Sequence, residues 1–349
     1  MYKTLLLAVI LSLLIISCRE DLDPIPDVSS VAADFKLIRF DREFMEIDTN
    51  NFSHELRDLI TKYPEFSDIY FKYVLEIANK EDTLEFLSSI NREILRAPGF
   101  RAIHDSIQRI YGEDDFLRSE FENAFKNLKY YFPDYLLPNI YTFQSDFAFQ
   151  KFIFSDKDAD GIGIGLDMYL GSTFPYKALD PKNPAFSDYL TRAFDKNHII
   201  KHSIELICEE LLGEAPGVRL IDHMIHNGIK IYFLKKFLPR TPDTIIFEYS
   251  ADQLNWCKEN ELEMWAFFLD EGLIYETNLS KINKYINPSP SSPGMPDRAP
   301  GRTANYIGYL IVRSYVSKNP EIQLKDLIGV KDAQKFLEKS GFKPKRRKR

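Results

Sequence analysis

The spacing of apolar residues predicts helices in the first third of the chain and strands near its middle. Between residues 51 and 131, apolar side chains recur every three or four positions, the period of an amphipathic helix. A short apolar run at 35–40 indicates one strand ahead of these helices, and runs rich in Ile, Phe and Tyr over 138–154 indicate more. Helical spacing returns from 186 onward. We therefore expect an α+β fold, mostly α, with a small antiparallel sheet near residues 138–171.

Two interpretations compete for the aspartates between the last two predicted strands. Positions 1, 3, 5, 6 and 12 of a calcium-binding loop would be filled by Asp156, Asp158, Asp160, Gly161 and Asp167. Position 12 prefers Glu, however, and the flanking segments have strand character rather than helix character. Asp-Gly between two apolar alternating runs is a hairpin signal. We therefore predict a β-hairpin, in which Gly163 and Gly165 allow close approach of another backbone or of a ligand.

The stretch from Val218 to Thr277 carries the pattern closest to a known catalytic motif. Its spacing predicts one helix over 218–237 and a second over 265–275. Zinc peptidases of the His-Glu-x-x-His type place two His at i and i+4 of one helix, with a Glu base beside the first His. A carboxylate from the next helix completes the ligand set.

This chain departs from that motif at two positions. Asp222 takes the place of the first His and His223 that of the Glu base, whereas His226 matches the second His and Glu271 the third ligand. Asp222, His226 and Glu271 would hold zinc more weakly than a set richer in His. His223 would be a vestigial base. The competing interpretation is an Asp222–His226 hydrogen bond lining a vestigial cleft, so we expect a degenerate site without a cofactor, zinc being the alternative.

A second pair of histidines has the spacing of metal ligands. His198 and His202 lie at i and i+4, and Glu205 follows three residues later. No Glu adjoins either His, and the segment is rich in charge. We therefore interpret it as an exposed polar helix face.

The last long segment of interest combines a loop and a helix. Residues 287–301 hold five Pro and two Gly and must form a loop. The next helix is predicted to line the vestigial cleft with Arg302, Tyr306 and Arg313.

The chain begins with the pattern of a bacterial lipoprotein. Lys3 precedes an apolar run, Leu5–Ile16, that is too short to span a bilayer as a stable helix. Ile15-Ile16-Ser17-Cys18 fits a lipobox, in which the Cys is acylated and becomes the mature N-terminus. We therefore predict a signal peptide over 1–17 and lipid attachment at Cys18; an ordinary signal peptide that contains a Cys is the alternative.

The remaining chain divides into a tether, a domain and a tail. We assign the tether to 18–33, a single domain to 34–342 and a basic tail to 343–349. The acidic cluster Glu20, Asp21 and Asp23 leaves open whether the protein is carried to the cell surface. We expect a cell-envelope protein held by membrane lipid, on the periplasmic side or at the surface.

Composition narrows the classes of partner. The formal net charge of −7 disfavours nucleic acid. No second apolar run is long enough to cross a membrane. Cys208 and Cys257 could pair in an oxidising periplasm or remain buried thiols, and the sequence leaves both open.

The ordered set of motifs resembles the gliding-motility lipoprotein GldB family of Bacteroidetes over essentially the whole chain. The motifs are the lipobox, Gly-Ile-Gly-Leu-Asp-Met-Tyr-Leu-Gly (163–171), Asp-His-Met-Ile-His-Asn-Gly (222–228), Asp-Glu-Gly-Leu-Ile-Tyr-Glu-Thr-Asn (270–278), Pro-Gly-Arg (300–302) and Ile-Gly-Tyr-Leu-Ile-Val-Arg-Ser-Tyr (307–315). The resemblance implies a membrane-anchored accessory of gliding motility, with proteins of motility or type IX secretion as partners. The departures at Asp222 and His223 favour a non-catalytic role. GldB-like proteins are similar to zinc peptidases, which implies a zincin (gluzincin)-like domain with a degenerate active-site helix. A zinc-dependent peptidase or hydrolase with an altered ligand set is the alternative.

Overall fold

The computed structural model describes residues 24–77, 84–157 and 159–346, which are mostly helical. The helices of the first part are α1 Phe40–Met45, α2 Phe52–Lys62, α3 Pro64–Ile69, α4 Leu84–Ser89, α5 Pro98–Tyr111 and α6 Asp115–Tyr131. Those of the middle part are α7 Tyr176–Leu179, α8 Asp188–Thr191, α9 Lys196–Leu212, α10 Leu220–Phe237, α11 Asp243–Phe247 and α12 Ala251–Glu259. The last are α13 Glu261–Asp270, α14 Leu279–Ile286, α15 Thr303–Lys318, α16 Leu324–Ile328 and α17 Ala333–Ser340.

Several predicted features lie outside the described residues. They are the signal peptide 1–17, Cys18, the acidic cluster Glu20, Asp21 and Asp23, residue Asp158 of the hairpin loop, and tail residues 347–349.

Within the described residues, four short strands form one mixed sheet. They are β1 Leu37–Ile38, β2 Asn139–Phe143, β3 Lys151–Phe154 and β4 Gly161–Gly165, in the order β1-β2-β4-β3. β2 runs parallel to both β1 and β4, whereas β3 runs antiparallel to β4. The predicted antiparallel sheet is therefore wrong. The reason is that β3 lies at the edge of the sheet. After β3 the chain turns back towards β2, so that β4 lies between β2 and β3 and runs parallel to β2.

The predicted hairpin between β3 and β4 is confirmed. Phe154 pairs with Gly161 across the turn, and strands rather than helices flank it. The glycines of β4 make room for their neighbours: a Cβ on Gly163 would lie 2.7 Å from the ring of Phe152, and one on Gly165 would lie 2.1 Å from a backbone oxygen. The predicted close approach is therefore made by an aromatic ring as well as by backbone.

Asp167, which would be the last ligand of a calcium loop, is buried, and its carboxylate is hydrogen-bonded to backbone N–H groups. Its carboxylate accepts hydrogen bonds from the N–H groups of Ser145 at 3.0 Å and of Phe147 at 2.7 Å. Burial raises the pKa of Asp167 to about 6, although these hydrogen bonds favour the charged form. The residue fixes the turn between β2 and β3, where Phe147 has a positive φ of 64°.

The sheet lies between two hydrophobic clusters. Tyr141, Phe143 and Phe154 join a mainly aromatic cluster formed with the helices of the first part of the chain. Ile140 and Ile162 belong to a larger cluster on the other side. Apolar contacts on both faces explain why β4 is buried along its whole length.

The helix predicted over 218–237 is present as α10, and it packs mainly against other helices. Helix α9 contacts β3 and β4, and α10 packs on α9 and on α15. The crossing of α10 and α15 is very close, because a Cβ on Gly308 would lie 1.8 Å from the carbonyl oxygen of Met224. Glycine at this crossing therefore lets the two backbones touch.

Two further properties bear on localisation and redox state. In the described ranges, no helix combines the length and the apolar character needed to cross a bilayer. Cys208 and Cys257 are both free, buried thiols.

Candidate functional site

Asp222, the residue at the first ligand position of the zinc motif, caps its own helix. Its Oδ2 accepts hydrogen bonds from the backbone N–H of Arg219 at 3.0 Å and from Arg219 Nε at 2.9 Å. Its Oδ1 accepts from Arg219 Nη2 at 2.7 Å. Burial alone would raise the pKa of Asp222, but the bonds from Arg219 outweigh burial and leave the pKa below its ordinary value. Both carboxylate oxygens of Asp222 therefore accept hydrogen bonds from Arg219 rather than from His226.

The two histidines of the motif are half-buried on α10. Burial lowers the pKa of both side chains, and for His226 repulsion from Lys230 lowers it further. The Nε2 atom of His223 is buried and has no hydrogen-bond partner in the described part of the chain. Both imidazoles are therefore favoured in their neutral form.

Glu271 lies in a different environment from Asp222. The helix predicted over 265–275 ends earlier, at Asp270, because Gly272 adopts a positive φ of 65°. Glu271 lies just beyond this helix and is exposed. Across 24–77, 84–157 and 159–346, no group of three or more His, Cys, Asp or Glu residues is placed to hold a metal ion. The structure therefore does not bring Asp222, His226 and Glu271 together as a ligand set.

A different group of charged side chains lines a cavity of about 320 Å³, which we call the charged cavity. Its acidic and basic lining residues are Lys151, Lys201, His202, Glu205, Glu209, Lys230, Glu248 and Arg302. Exposure falls from the rim, where the Glu209 side chain is 48% exposed, to the floor, where that of Lys201 is 2% exposed. The charged cavity is therefore open to solvent near Glu209.

Glu248 is the centre of the ion pairs on the floor. It follows α11 and has a positive φ of 53°, which points its carboxylate into the cluster. Its Oε1 accepts from Lys201 Nζ and from His202 Nε2 at 2.8 Å, and its Oε2 accepts from Arg302 Nη2 at 2.9 Å. Burial alone would raise the pKa of Glu248, but Lys201 and Arg302 hold it well below its ordinary value. Glu248 is therefore ionised.

Glu205 organises the lysines of the charged cavity. Its Oε2 lies 2.9 Å from Lys201 Nζ and 3.3 Å from Lys151 Nζ, and its Oε1 lies 3.5 Å from Lys230 Nζ. Burial would raise the pKa of Glu205, but the three ammonium groups lower it well below its ordinary value. Strand β3 and helices α9 and α10 each contribute one lysine to this carboxylate.

His202 is buried between a tyrosine and a glutamate. Since a carboxylate can only accept, we assign the proton to His202 Nε2, which donates to Glu248, so that Nδ1 accepts from Tyr169 Oη at 2.9 Å. Burial first, and then repulsion from Lys151, lowers the pKa of His202 to about 4. The predicted exposed polar face is therefore wrong: this face of α9 is buried because ion pairs neutralise its charges.

His198 does not join His202 in one site. Its Nδ1 lies 3.1 Å from Asp195 Oδ1 at the start of α9, whereas His202 points into the charged cavity.

The three residues predicted to line the vestigial cleft are divided between two places. Arg302 lines the charged cavity, whereas Tyr306 and Arg313 line a separate groove together with Pro24 and Lys345. Sequence reasoning missed Glu248, which comes 54 residues before its partner Arg302. The signal that was present is the i, i+4 spacing of Lys201 and Glu205 on α9, which form an ion pair.

The chemistry of the charged cavity is that of charge recognition. None of its described lining residues is a Ser, Thr or Cys that could serve as a nucleophile. The lysine at the floor, Lys201, is held by two carboxylates, and the imidazole of His202 by Tyr169 and Glu248. The arrangement can hold an oppositely charged group.

Comparison with known proteins identifies the family. The family model described as "Gliding motility protein GldB" matches residues 22–344, almost the entire chain. The chain therefore belongs to the GldB family of gliding motility proteins. No match was found among curated proteins or among solved structures.

Proposed function

We propose that this GldB-family protein is a lipid-anchored, non-catalytic component of gliding motility that works with proteins of the motility or type IX secretion machinery. The family match over residues 22–344 supports the motility role. The observation that carries the non-catalytic role is the pairing of both Asp222 oxygens with Arg219. Neither nucleic acid nor a cofactor has a part in this proposal.

The altered zinc motif supports a role other than hydrolysis. A catalytic zinc ion needs three protein ligands and an open position for water. In this chain Asp222 is committed to capping α10, Glu271 is exposed beyond α13, and His223 replaces the Glu base. Loss of a general base alone costs about 10²–10⁴-fold in rate. The residues of the motif therefore favour a vestigial site over an active one.

The position of the two chain ends supports anchoring through Cys18. Pro24, Ile25 and Pro26 line the same groove as Lys345, so both ends of the domain leave on one face. The six residues that separate Cys18 from Pro24 can reach at most about 20 Å, so a lipid on Cys18 would stay near this face. Lys235 and Lys236 line the groove as well. A face with basic side chains next to a lipid anchor suits a membrane with anionic headgroups.

Complementation of a deletion strain tests the proposal. Deleting the gene should abolish surface spreading without stopping growth, and the intact gene should restore spreading. Cys18→Ser should leave the protein unprocessed or released from the membrane fraction and should fail to restore spreading. Normal processing and membrane retention of Cys18→Ser would refute the lipid anchor, and spreading in the deletion strain would refute the motility role.

The non-catalytic part of the proposal has its own test. His226→Ala combined with Glu271→Ala removes two of the three candidate ligands and leaves the Asp222 cap in place. This double variant should restore spreading at normal protein level, and the purified wild type should hold well under one equivalent of zinc. Stoichiometric zinc that is lost in the double variant together with spreading would establish the zinc-hydrolase alternative.

A further inference from the structure

The charged cavity holds more cationic than anionic side chains. Its described lining includes Lys151, Lys201, Lys230 and Arg302. These four face the carboxylates of Glu205 and Glu248, with a third carboxylate, Glu209, half exposed at the rim. His202 adds no positive charge near neutral pH, because its pKa lies at about 4.

Two groups lie close to these cations, Arg192 and His202. Arg192 donates from Nη2 to the carbonyl oxygen of Glu248, behind the cavity floor. Burial lowers the pKa of Arg192, and repulsion from Arg302 lowers it further. His202 likewise has its pKa lowered by Lys151 and Lys201 although it is bonded to Glu248. With Glu209, which pairs with Lys230 at 2.9 Å, the three carboxylates of the cavity leave one of its four cationic side chains uncompensated.

One polar group at the wall points to a missing acceptor. The side-chain nitrogen of Gln150, which lines the cavity beside Lys151, is buried and has no hydrogen-bond partner among the described residues. A buried amide N–H without an acceptor costs free energy. The amides of Asn227 and Asn305 are bonded to each other at 2.9 Å, so the unused donor is specific to Gln150.

We propose that the charged cavity binds a small anionic ligand through Lys151, Lys230, Arg302 and the amide of Gln150, the recognised group being a carboxylate or a phosphate. The anion would offset the positive charge that Glu205, Glu209 and Glu248 leave uncompensated. It would also supply the acceptor that Gln150 lacks. A volume of about 320 Å³ admits an anion of several heavy atoms. A metal cation is disfavoured, because both floor carboxylates are already paired with ammonium or guanidinium groups.

The loop over 287–301 adds a wall to this site. Asn287 and Pro288, at its start, line the cavity, and Arg302 follows its end. One hydrogen bond within the loop stabilises it: Ser292 Oγ donates to the carbonyl oxygen of Pro300 at 2.7 Å. A second comes from outside the loop, where Tyr249 Oη donates to the carbonyl oxygen of Gly301 at 2.9 Å. Ligand binding is therefore expected to alter amide exchange in this loop and in α9.

The test uses the full-length protein in detergent and two probes, inorganic phosphate and citrate, each titrated against sodium chloride at equal ionic strength. At least one probe should bind saturably by calorimetry and protect α9 and residues 286–302 from hydrogen exchange. The stronger probe assigns the recognised group as phosphate or carboxylate. Absence of saturable binding by either probe would refute the proposal.

Matched variants locate the binding. Lys230→Gln and Lys151→Gln should each raise the dissociation constant of the bound probe about tenfold, because each removes one charge-assisted contact. Lys236→Gln is the control, since it makes the same change on α10 but lines the other groove. Equal weakening in all three variants would show diffuse surface attraction and contradict a site. The motility proposal is unaffected by either result, because it uses neither Lys151 nor Lys230.

Discussion

Glu248 and Arg302 both adopt left-handed backbone, with φ of 53° and 59°, and join through a 2.9 Å ion pair. A residue other than glycine in this region costs of order 1–3 kcal/mol, and it persists only where surrounding contacts hold it. Here the contact is the ion pair itself, which connects the end of α11 to the start of α15. The turn after α11 and the start of α15 therefore stabilise each other through charge.

The first prediction is that removing the charge of Glu248 strongly destabilises the protein. Glu248→Gln leaves Arg302 buried without its carboxylate and leaves Lys201 with Glu205 alone, and breaking a buried pair in this way costs about 3–5 kcal/mol. The free energy of unfolding in urea measures the loss. Glu76→Gln is the matched control, because Glu76 also has a positive φ but is exposed; it should cost less than about 0.5 kcal/mol. Equal effects of the two substitutions would contradict the role of the ion pair.

The second prediction separates capping from catalysis at Asp222. Asp222→Ala removes the acceptor of three hydrogen bonds from Arg219 and should cost about 1–2 kcal/mol of unfolding free energy. Asp222→Asn keeps one acceptor oxygen and should lose about half as much. Amide exchange should rise at residues 219–223 before the rest of α10. A variant of unchanged stability that loses bound zinc would instead identify Asp222 as a ligand.

The elements whose signal is local could be predicted from the sequence. The apolar period placed α10 within two residues of its true bounds, and Asp-Gly correctly predicted the hairpin of β3 and β4. The order of the strands could not be predicted, because the parallel pairing of β2 with β4 depends on where β3 is placed. Alternation of side chains is the same for a strand in either direction.

The candidate site was harder to predict, because its parts come together only in the fold. The motif 222–228 suggested metal chemistry, but the structure uses Asp222 as a cap and Gly228 as a helix contact. The charged face of α9 suggested exposure, because Lys and Glu are almost never buried unless paired. The partners that allow its burial, Glu248, Lys151 and Lys230, come from other elements. The periodicity of the sequence does not predict an ion pair between residues of different elements.

The third prediction concerns acid stability. The pKa of His202 in the folded protein, about 4, lies below its ordinary value of 6.5, so the folded state binds fewer protons than the unfolded state between these values. Stability from this group is therefore complete above pH 6.5 and is lost as the pH falls towards 4, by at most about 1.4 kcal/mol per pH unit. His202→Gln keeps a donor for Glu248 but does not titrate, so its unfolding free energy should fall less steeply.

The titration of Asp167 does not obscure this effect of His202. Asp167 has a raised pKa of about 6 and titrates in the opposite sense, since its stability contribution falls as the pH rises towards 6. This contribution is common to wild type and variant and cancels in their difference. Identical pH slopes for His202→Gln and wild type would show that His202 is protonated equally in both states.

The fourth prediction tests the crossing of α10 and α15, which positions Asp222 and the wall of the charged cavity. In a free helix, Gly→Ala is favourable by about 1 kcal/mol. At Gly308 the new Cβ would lie 1.8 Å from the Met224 carbonyl oxygen, and at Gly228 it would lie 2.3 Å from the backbone of Gly308. Neither obstacle can rotate away, because both are backbone atoms inside helices.

Gly308→Ala should therefore lower the unfolding free energy by about 1–3 kcal/mol despite its gain in helix propensity. Gly99→Ala is the matched control: it lies in helix α5, and its Cβ would meet nothing within 4 Å, so it should be neutral or stabilising. Chemical denaturation of both variants measures the difference. If the packing explanation holds, Gly308→Ala should also loosen the charged cavity, because Asn305 and Arg302 lie at the start of the same helix. Unchanged stability in Gly308→Ala would mean that the helices separate freely, and glycine at this crossing would then need another explanation.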